Sequence, residues 1–277
     1  MIKFSGFADE VSVDFVQQLE FLRSIDVSYI ELRFVDGINI INLNEQELER
    51  ACKLLKEYNI GVSAIASPIG KIALDEPFEP HLEKFKHTVE LAKFFNTKMI
   101  RIFSFYPPKG ENIDDYRDEV ISRLSIMSQI VKGSDIILVH ENESHIYGHS
   151  AENCVEIAKS LNSPNLRLAY DPANFVWGDD ITDNVTRCYP IMEPYISHIH
   201  IKDWKLGSKD IGSLPGEGDG QIDLLIKRLA ETGYDGFITM EPHMNSGGQF
   251  GGETTPEQFT AALTRVKLMC DKYKLKY

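Results

Sequence analysis

Short apolar runs alternate along the chain with longer amphipathic stretches, and this alternation is the main signal for its fold. Eight runs have strand length and are rich in β-branched or aromatic residues. They cover residues 2–7, 29–34, 62–66, 98–103, 136–141, 166–171, 196–200 and 237–241. Between them apolar residues recur at helical spacing, as at Phe15, Leu19 and Leu22. Repeated strand–helix units predict parallel strands covered by helices.

The helical stretches have recognisable ends. Asn44 followed by Glu47 is typical of a capping box, as are Thr255 and Gln258 on either side of Pro256. Further helices are expected over residues 82–95, 116–131, 152–161, 181–192 and 222–231. Eight strands and eight helices in one unbroken series predict a single α/β domain over residues 1–277, a closed (β/α)8 barrel or TIM barrel.

An open, doubly wound sheet is the alternative architecture. No glycine-rich dinucleotide fingerprint and no phosphate loop follows any expected strand, so the usual chemical signs of that alternative are lacking. In a barrel, the long loops 104–113, 142–149 and 203–221 would lie on the face that bears the site. The third loop contains glycines at 216, 218 and 220, which permit close backbone approach and lid-like motion.

The charge balance narrows the range of partners. Lys and Arg number 29 against 42 Asp and Glu, and the net charge of -13 argues against nucleic acid or an anionic membrane. A small molecule is therefore the expected partner. Four scattered cysteines and the lack of a long apolar run predict neither a disulfide framework nor a membrane segment, and favour the cytoplasm. A homo-oligomer is left open.

Four consecutive strands in the second half end on an acidic or imidazole side chain: Glu141, Asp171, His200 and Glu241. Each follows the previous one by about one βα unit, so the four side chains are expected to meet at one end of the barrel. The alternative, that each merely ends a strand at the solvent, is less favoured for four in succession. Three carboxylates and one imidazole suit Mn, Mg or Co and can accept Zn. Such a metal could polarise a sugar carbonyl, with Glu141 and Glu241 placed to remove and return a proton.

Strand alternation assigns directions to the neighbouring histidines. His198 has the parity of His200 and is expected inside the barrel, whereas His140 has the opposite parity to Glu141 and is expected to pack toward the helices. His243 is expected either at the surface or in contact with the substrate.

Basic residues at or beyond strand ends are candidates for binding a phosphate or sugar hydroxyls. Lys202 ranks first because it shares the parity of His200, and Arg101 ranks second. Lys71, Lys205 and Lys209 are weaker candidates. Solvated surface side chains are the alternative. Glu31 and Arg33 on the second strand could line the mouth of the barrel or pair with each other.

Five stretches resemble the motifs of a known superfamily: VHENE (139–143), YDPANF (170–175), HIHIKD (198–203), PGEG (215–218) and GYDG to the glutamate (233–241). They are similar to the xylose isomerase-like TIM-barrel superfamily, which contains sugar phosphate isomerases and epimerases and also endonuclease IV. The resemblance implies a divalent metal held by Glu141, Asp171, His200 and Glu241. In the family's ketose epimerases and hydroxypyruvate isomerases, the glutamates matching Glu141 and Glu241 form the acid/base pair through an enediolate-like intermediate. Glu217, in the PGEG stretch, is a further substrate-binding candidate.

At three positions that bind the substrate in ketose 3-epimerases, this sequence has different residues. Tyr147 stands where that branch has Glu, Asn174 where it has His and Leu206 where it has Arg. A standard ketose 3-epimerase is therefore disfavoured, although Asn174 remains a candidate for substrate binding.

The leading expectation is a metal-dependent isomerase or epimerase acting on a sugar, sugar acid or sugar phosphate. A dehydratase acting on a polyol or hydroxy-ketone could use the same site, and a sugar-binding barrel without turnover is a third alternative. A DNA repair endonuclease is disfavoured, because the chain has only 8 histidines and a charge of -13.

Overall fold

The computed structural model describes residues 1–248 and 251–277. Within these ranges, eight parallel strands close into a barrel in chain order. They are β1 (Lys3–Gly6), β2 (Tyr29–Leu32), β3 (Gly61–Ile65), β4 (Met99–Ile102), β5 (Ile137–Glu141), β6 (Leu166–Tyr170), β7 (Ile196–Ile201) and β8 (Phe237–Met240). The barrel closes where β8 pairs with β1, with Lys3 opposite Phe237 and Gly6 opposite Met240. The expected (β/α)8 barrel is confirmed, and the open sheet is excluded.

The helices cover the outside of the barrel. They are α1 (Phe15–Ser24), α2 (Glu45–Tyr58), α3 (Phe78–Phe94), α4 (Arg117–Ile130), α5 (Ala151–Leu161), α6 (Pro172–Asp179), α7 (Asn184–Arg187), α8 (Tyr189–Met192), α9 (Ile222–Thr232) and α10 (Pro256–Tyr273). Short 3-10 helices span Ala8–Glu10, Ile40–Asn42, Ile113–Tyr116, Tyr147–His149 and Glu193–Tyr195. Both expected capping boxes, at Asn44 and Thr255, are present. Antiparallel hairpins pair Phe34–Val35 with Ile38–Asn39 and Ser246–Gly248 with Gly251–Glu253.

The helix expected over residues 181–192 is wrong. The chain there forms the two four-residue helices α7 and α8, because Pro190 has no N–H to donate and cannot lie inside a continuous helix. An unexpected helix, α6, begins directly after β6. Asp171 caps it by accepting hydrogen bonds from the N–H groups of Ala173 and Asn174.

The centre of the barrel is polar. The hydroxyl oxygens of Ser5 and Ser63 are 2.7 Å apart, and Glu31 is fully buried beside His198. The inward direction expected for His198 is thus confirmed. His140 points outward as expected, with its Nδ1 atom 4.0 Å from the sulfur of Cys154 on α5. In the part of the chain that the structure describes, no helix combines the length and apolar character needed to cross a bilayer.

Candidate active site

The four strand-end residues of the second half meet at one end of the barrel. Glu141 ends β5, Asp171 follows β6, His200 lies near the end of β7 and Glu241 follows β8. Each offers one atom that lies within 4.8 Å of the corresponding atoms of the other three, and all four residues are buried. We call these four residues the ligand cluster. The convergence expected from the strand pattern is therefore present in the structure.

One atom of each residue in the ligand cluster lacks a hydrogen bond. These atoms are Glu141 Oε2, Asp171 Oδ2, His200 Nδ1 and Glu241 Oε2, which are buried and have no hydrogen-bond partner among the described residues. A buried polar atom without a hydrogen bond costs about 1–3 kcal/mol. Cations partly compensate two of the four atoms, because Lys202 lies 3.1 Å from Asp171 Oδ2 and Arg101 lies 3.2 Å from Glu141 Oε2. The convergence of four atoms with incomplete hydrogen bonding indicates room for a further partner. Three carboxylate oxygens and one imidazole nitrogen fit Mn, Mg or Co and can accept Zn.

Local hydrogen bonds set the direction of the acidic ligands. Asp171 Oδ1 accepts from the N–H of Ala173 at 2.8 Å, which leaves Oδ2 for the cluster. The side chain of Asn142 makes reciprocal bonds of 2.9 Å with the backbone N–H and C=O of Asp171, so the ends of β5 and β6 are joined. Asn174 donates from Nδ2 to Glu141 Oε1 at 3.2 Å. Asn174 therefore orients the side chain of Glu141.

Glu31 lies beneath the cluster and accepts hydrogen bonds from two histidines. Its oxygens lie 3.2 Å from His200 Nε2 and 2.7 Å from His198 Nε2. Burial alone would raise the pKa of Glu31, but the two histidines outweigh burial and hold that pKa well below its usual value. Because a carboxylate only accepts, His200 keeps a proton on Nε2 and turns Nδ1 toward the cluster. The sequence feature that could have indicated this role is the position of Glu31, a charged residue at an inward-facing position of an otherwise apolar strand.

Charges around the cluster keep two glutamates ionised. Burial favours the neutral form of Glu141, but His200 and Arg101 lower its pKa to about 2. Burial acts in the same way on Glu241, where Lys202 is the largest opposing influence and the pKa lies well below the usual value. Both side chains are therefore carboxylates at neutral pH, as metal binding and proton acceptance require.

Asp171 and Lys202 form a buried ion pair, with 3.1 Å between Nζ and Oδ2. Burial raises the pKa of Asp171 to about 6, and the attraction of Lys202 only partly opposes it. Lys202 also lies 3.7 Å from Glu241, so the highest-ranked basic candidate is inside the site.

The other substrate-binding candidates divide into two groups. Arg101 and Lys71 line the cavity above the cluster, as does His243, whose Nε2 is 3.3 Å from Glu241. Glu217 does not reach this cavity. Its side chain is half exposed and pairs with Arg265 on α10, so the structure gives no support to its expected contact with a substrate.

Arg33 lines the cavity, which was one of the two possibilities expected from the sequence, whereas Asp9 and Glu10 were not assigned to the site. Arg33 does not pair with Glu31 but donates at 2.8 Å to Asp9 and at 2.8 Å to Glu241. Glu10 accepts from the hydroxyl of Thr254 at 2.7 Å. The sequence feature that could have indicated Asp9 and Glu10 is that two consecutive acidic residues lie shortly after the first strand.

The glycine-rich loop after β7 is attached to Asp203. The carboxylate of Asp203 accepts from the N–H groups of Gly216, Gly218 and Gly220 at 2.7, 3.0 and 2.9 Å. A Cβ atom at Gly218 would lie 2.4 Å from Asp203 Oδ1, so only a residue without a side chain fits at this position.

Two residues that differ from the epimerase pattern make other contacts or none. The hydroxyl of Tyr147 donates to Glu156, and the side chain of Leu206 is exposed.

Comparison with known proteins identifies the family. A family model described as a xylose isomerase-like TIM barrel matches residues 19–266. The 3-dehydroshikimate dehydratase of Bacillus anthracis is 22% identical over 193 residues, which make up 69% of this chain and 67% of that protein. The crystal structure of a D-tagatose 3-epimerase-like protein has a TM-score of 0.76 at 17% identity, with 99% of this chain and 98% of that chain covered. A xylose isomerase-like TIM barrel protein from Mycobacterium smegmatis in complex with magnesium has a TM-score of 0.76 at 15% identity, with 98% and 97% covered. Because the family model matches most of the sequence, this chain belongs to the xylose isomerase-like TIM barrel family.

Proposed function

We propose that this protein is a divalent-metal-dependent isomerase or epimerase acting on a carbohydrate or a related hydroxy-carbonyl compound. The observation that carries the proposal is the ligand cluster, in which four buried side chains each present an atom that has no hydrogen bond to any described residue. The epimerase-like structural neighbour and the magnesium-bound one are consistent with it.

The four residues of the ligand cluster would hold the metal. When bound, the ion would polarise a carbonyl and a neighbouring hydroxyl, which lowers the cost of removing the proton between them. Glu141 comes from β5 and Glu241 from the end of β8, so the two carboxylates reach the cavity from different strands. One glutamate takes the proton from carbon, and the other returns to carbon a proton that it has first taken from solvent, a contribution of typically about 10²–10⁴-fold in rate. Asn174 and Arg101 hold Glu141 in position, and Arg33 holds Glu241.

A dehydratase is the second candidate, favoured by the relative named 3-dehydroshikimate dehydratase. One glutamate would remove a proton from carbon and pass that proton to the hydroxyl on the adjacent carbon, which leaves as water. Product mass separates the two reactions, because isomerisation conserves mass and dehydration loses one water.

Metal content tests the proposal. We expect elemental analysis of the purified protein to find about one divalent ion per chain, and Glu141→Gln and His200→Ala to lower this content. Glu217→Gln is the matched control, because this glutamate lies outside the cavity and its replacement leaves the metal content unchanged. A wild-type protein that holds no ion after incubation with Mn or Co would overturn the proposal.

Turnover is then measured with the metal-loaded protein on ketoses, aldoses, sugar acids and their phosphates. Incorporation of solvent deuterium into the product supports proton transfer by the glutamates, and full turnover by Glu241→Gln refutes it. A sugar-binding barrel without turnover would show ligand binding that survives chelation and no chemistry on any of these compounds.

A further inference from the structure

Three basic side chains lie on the half of the barrel that carries no member of the ligand cluster. Arg33 follows β2, Lys71 lies in the segment after β3, and Arg101 is on β4, whereas the ligand cluster lies on β5 to β8. All three line the same cavity as Glu141 and Glu241. We call these three residues the cationic wall. The cavity therefore has a metal-binding half and a basic half.

Aromatic rings hold the cationic wall in place. The ring of Phe7 lies 4.3 Å from the guanidinium carbon of Arg33 and 5.3 Å from that of Arg101. The ring of Phe103 lies 5.0 Å from Arg101 and 4.3 Å from the ammonium nitrogen of Lys71. Cations and rings thus alternate, and each ring stabilises the two charges beside it. Because the rings cover the apolar faces of the guanidinium groups, their N–H edges are left for polar partners.

Two of those N–H edges are not used by any residue that the structure describes. Arg33 Nη2 and Arg101 Nε are buried and have no hydrogen-bond partner in the described ranges. Arg33 is only 4% exposed and Arg101 only 7%, so bulk water does not take the place of a partner. Guanidinium groups bind carboxylates and phosphates in a fixed geometry through paired N–H donors. Two unused donors in one cavity point to an anionic ligand.

We infer that the substrate carries an anionic group that binds to Arg33 and Arg101 while its hydroxy-carbonyl end lies at the ligand cluster. This inference rests on the proposed function and narrows its substrate class to sugar acids and sugar phosphates. Carboxylate and phosphate share the chemistry that a guanidinium group recognises, and the measurements below separate them.

The test compares three ligands built on one ketose. The metal-loaded protein is titrated calorimetrically with D-fructose, D-fructuronate and D-fructose 6-phosphate. We expect at least one of the two anions to bind ten-fold or more tightly than D-fructose, and the tighter anion identifies the carboxylate or the phosphate as the recognised group. Equal affinities for all three, or binding of D-fructose alone, overturn the inference.

Variants assign the effect to the two arginines. Arg33→Gln and Arg101→Gln are each expected to weaken binding of the preferred anion at least ten-fold more than they weaken binding of D-fructose. Some loss of D-fructose affinity is expected as well, because Arg33 and Arg101 also hold Glu241 and Glu141 in position. Arg117→Gln, on the exposed surface of α4, is the matched control. Metal content and the urea midpoint of each variant show whether it is folded and loaded, and Arg101→Lys provides a second variant that keeps the charge and loses the paired donors. Loss of anion and D-fructose binding to the same extent would contradict a charge-specific role.

Failure of the inference is distinguishable from failure of the proposed function. A protein that holds its divalent ion but shows no preference for anions loses only the inference. A protein that holds no ion after incubation with Mn or Co loses the proposed function.

Discussion

Replacement of Glu31 by glutamine tests how the barrel interior prepares His200 for a metal. The two side chains have nearly the same shape, but glutamine offers one accepting oxygen and one donating NH2 group where the carboxylate offers two acceptors. In the wild-type protein His198 and His200 both donate from Nε2 to Glu31. In Glu31→Gln only one of the two histidines keeps an acceptor.

The distances indicate which histidine loses its acceptor. Glu31 lies 2.7 Å from His198 and 3.2 Å from His200, so the amide oxygen is expected to stay with the shorter bond. The NH2 group then faces His200 Nε2, which must give up its proton to accept from it. In the neutral form of the ring, which metal binding requires, the proton then lies on Nδ1, the atom that would bind the metal. Loss of such an orienting partner typically weakens metal affinity about 10–100-fold, which corresponds to about 1.4–2.7 kcal/mol.

Calorimetric titration with Mn or Co measures the affinity of both proteins. Ser63→Ala is the matched control, because Ser63 lies in the same buried layer beside Ser5 and has no hydrogen bond to His200. Nitrogen-15 chemical shifts of the His200 ring in the zinc-loaded proteins report which nitrogen carries the proton. Wild-type affinity in Glu31→Gln would refute the orienting role, and an equal loss in Ser63→Ala would show general loosening of the barrel instead.

Two predictions concern stability. Burial lowers the pKa of His81 to about 4, and its Nε2 accepts the N–H of Gly70 at 2.8 Å, so the folded protein binds this proton less readily than the unfolded chain does. We therefore expect up to about 3 kcal/mol of the free energy of unfolding to be present above pH 6.5 and lost as the pH falls toward 4. His81→Gln keeps an acceptor and should show a flatter pH dependence in urea unfolding, so parallel curves for the two proteins would contradict this assignment. Separately, Gly218→Ala places a Cβ atom 2.4 Å from Asp203 Oδ1 and should destabilise the protein by about 1–3 kcal/mol. An unchanged urea midpoint would refute the close-approach explanation for this glycine.

The hydrophobic pattern predicted all eight strands, because each strand of a parallel barrel is buried on both faces and reads as one apolar run. The ligand cluster was predicted for a related reason, since parallel strands bring their C-terminal ends to one face. Local chemistry also predicted the caps at Asn44 and Thr255. Helix α6 was missed because its cap, Asp171, was interpreted only as a ligand.

Contacts between distant parts of the chain could not be predicted in this way. Arg33 and Glu241 are 208 positions apart, and no local pattern indicates that they form an ion pair. The same holds for Glu31, whose partner His200 is 169 positions away. Glu217 shows the opposite error: its place in a motif suggested the site, but the attachment of its loop to Asp203 leaves its side chain with Arg265 outside the cavity.

The ion pairs that join the two halves of the cavity have a further consequence. Arg101 contacts Glu141 at 3.2 Å, and Arg33 contacts Glu241 at 2.8 Å. Two carboxylates of the ligand cluster are thus also the ion-pair partners of the cationic wall. An ion that draws on these carboxylates weakens their hold on the arginines and thereby favours an anion beside them. Binding at one half must then strengthen binding at the other by the same factor, because coupling between two sites is reciprocal. The two halves would thus fill cooperatively, and the metal would be retained most firmly while a substrate is present.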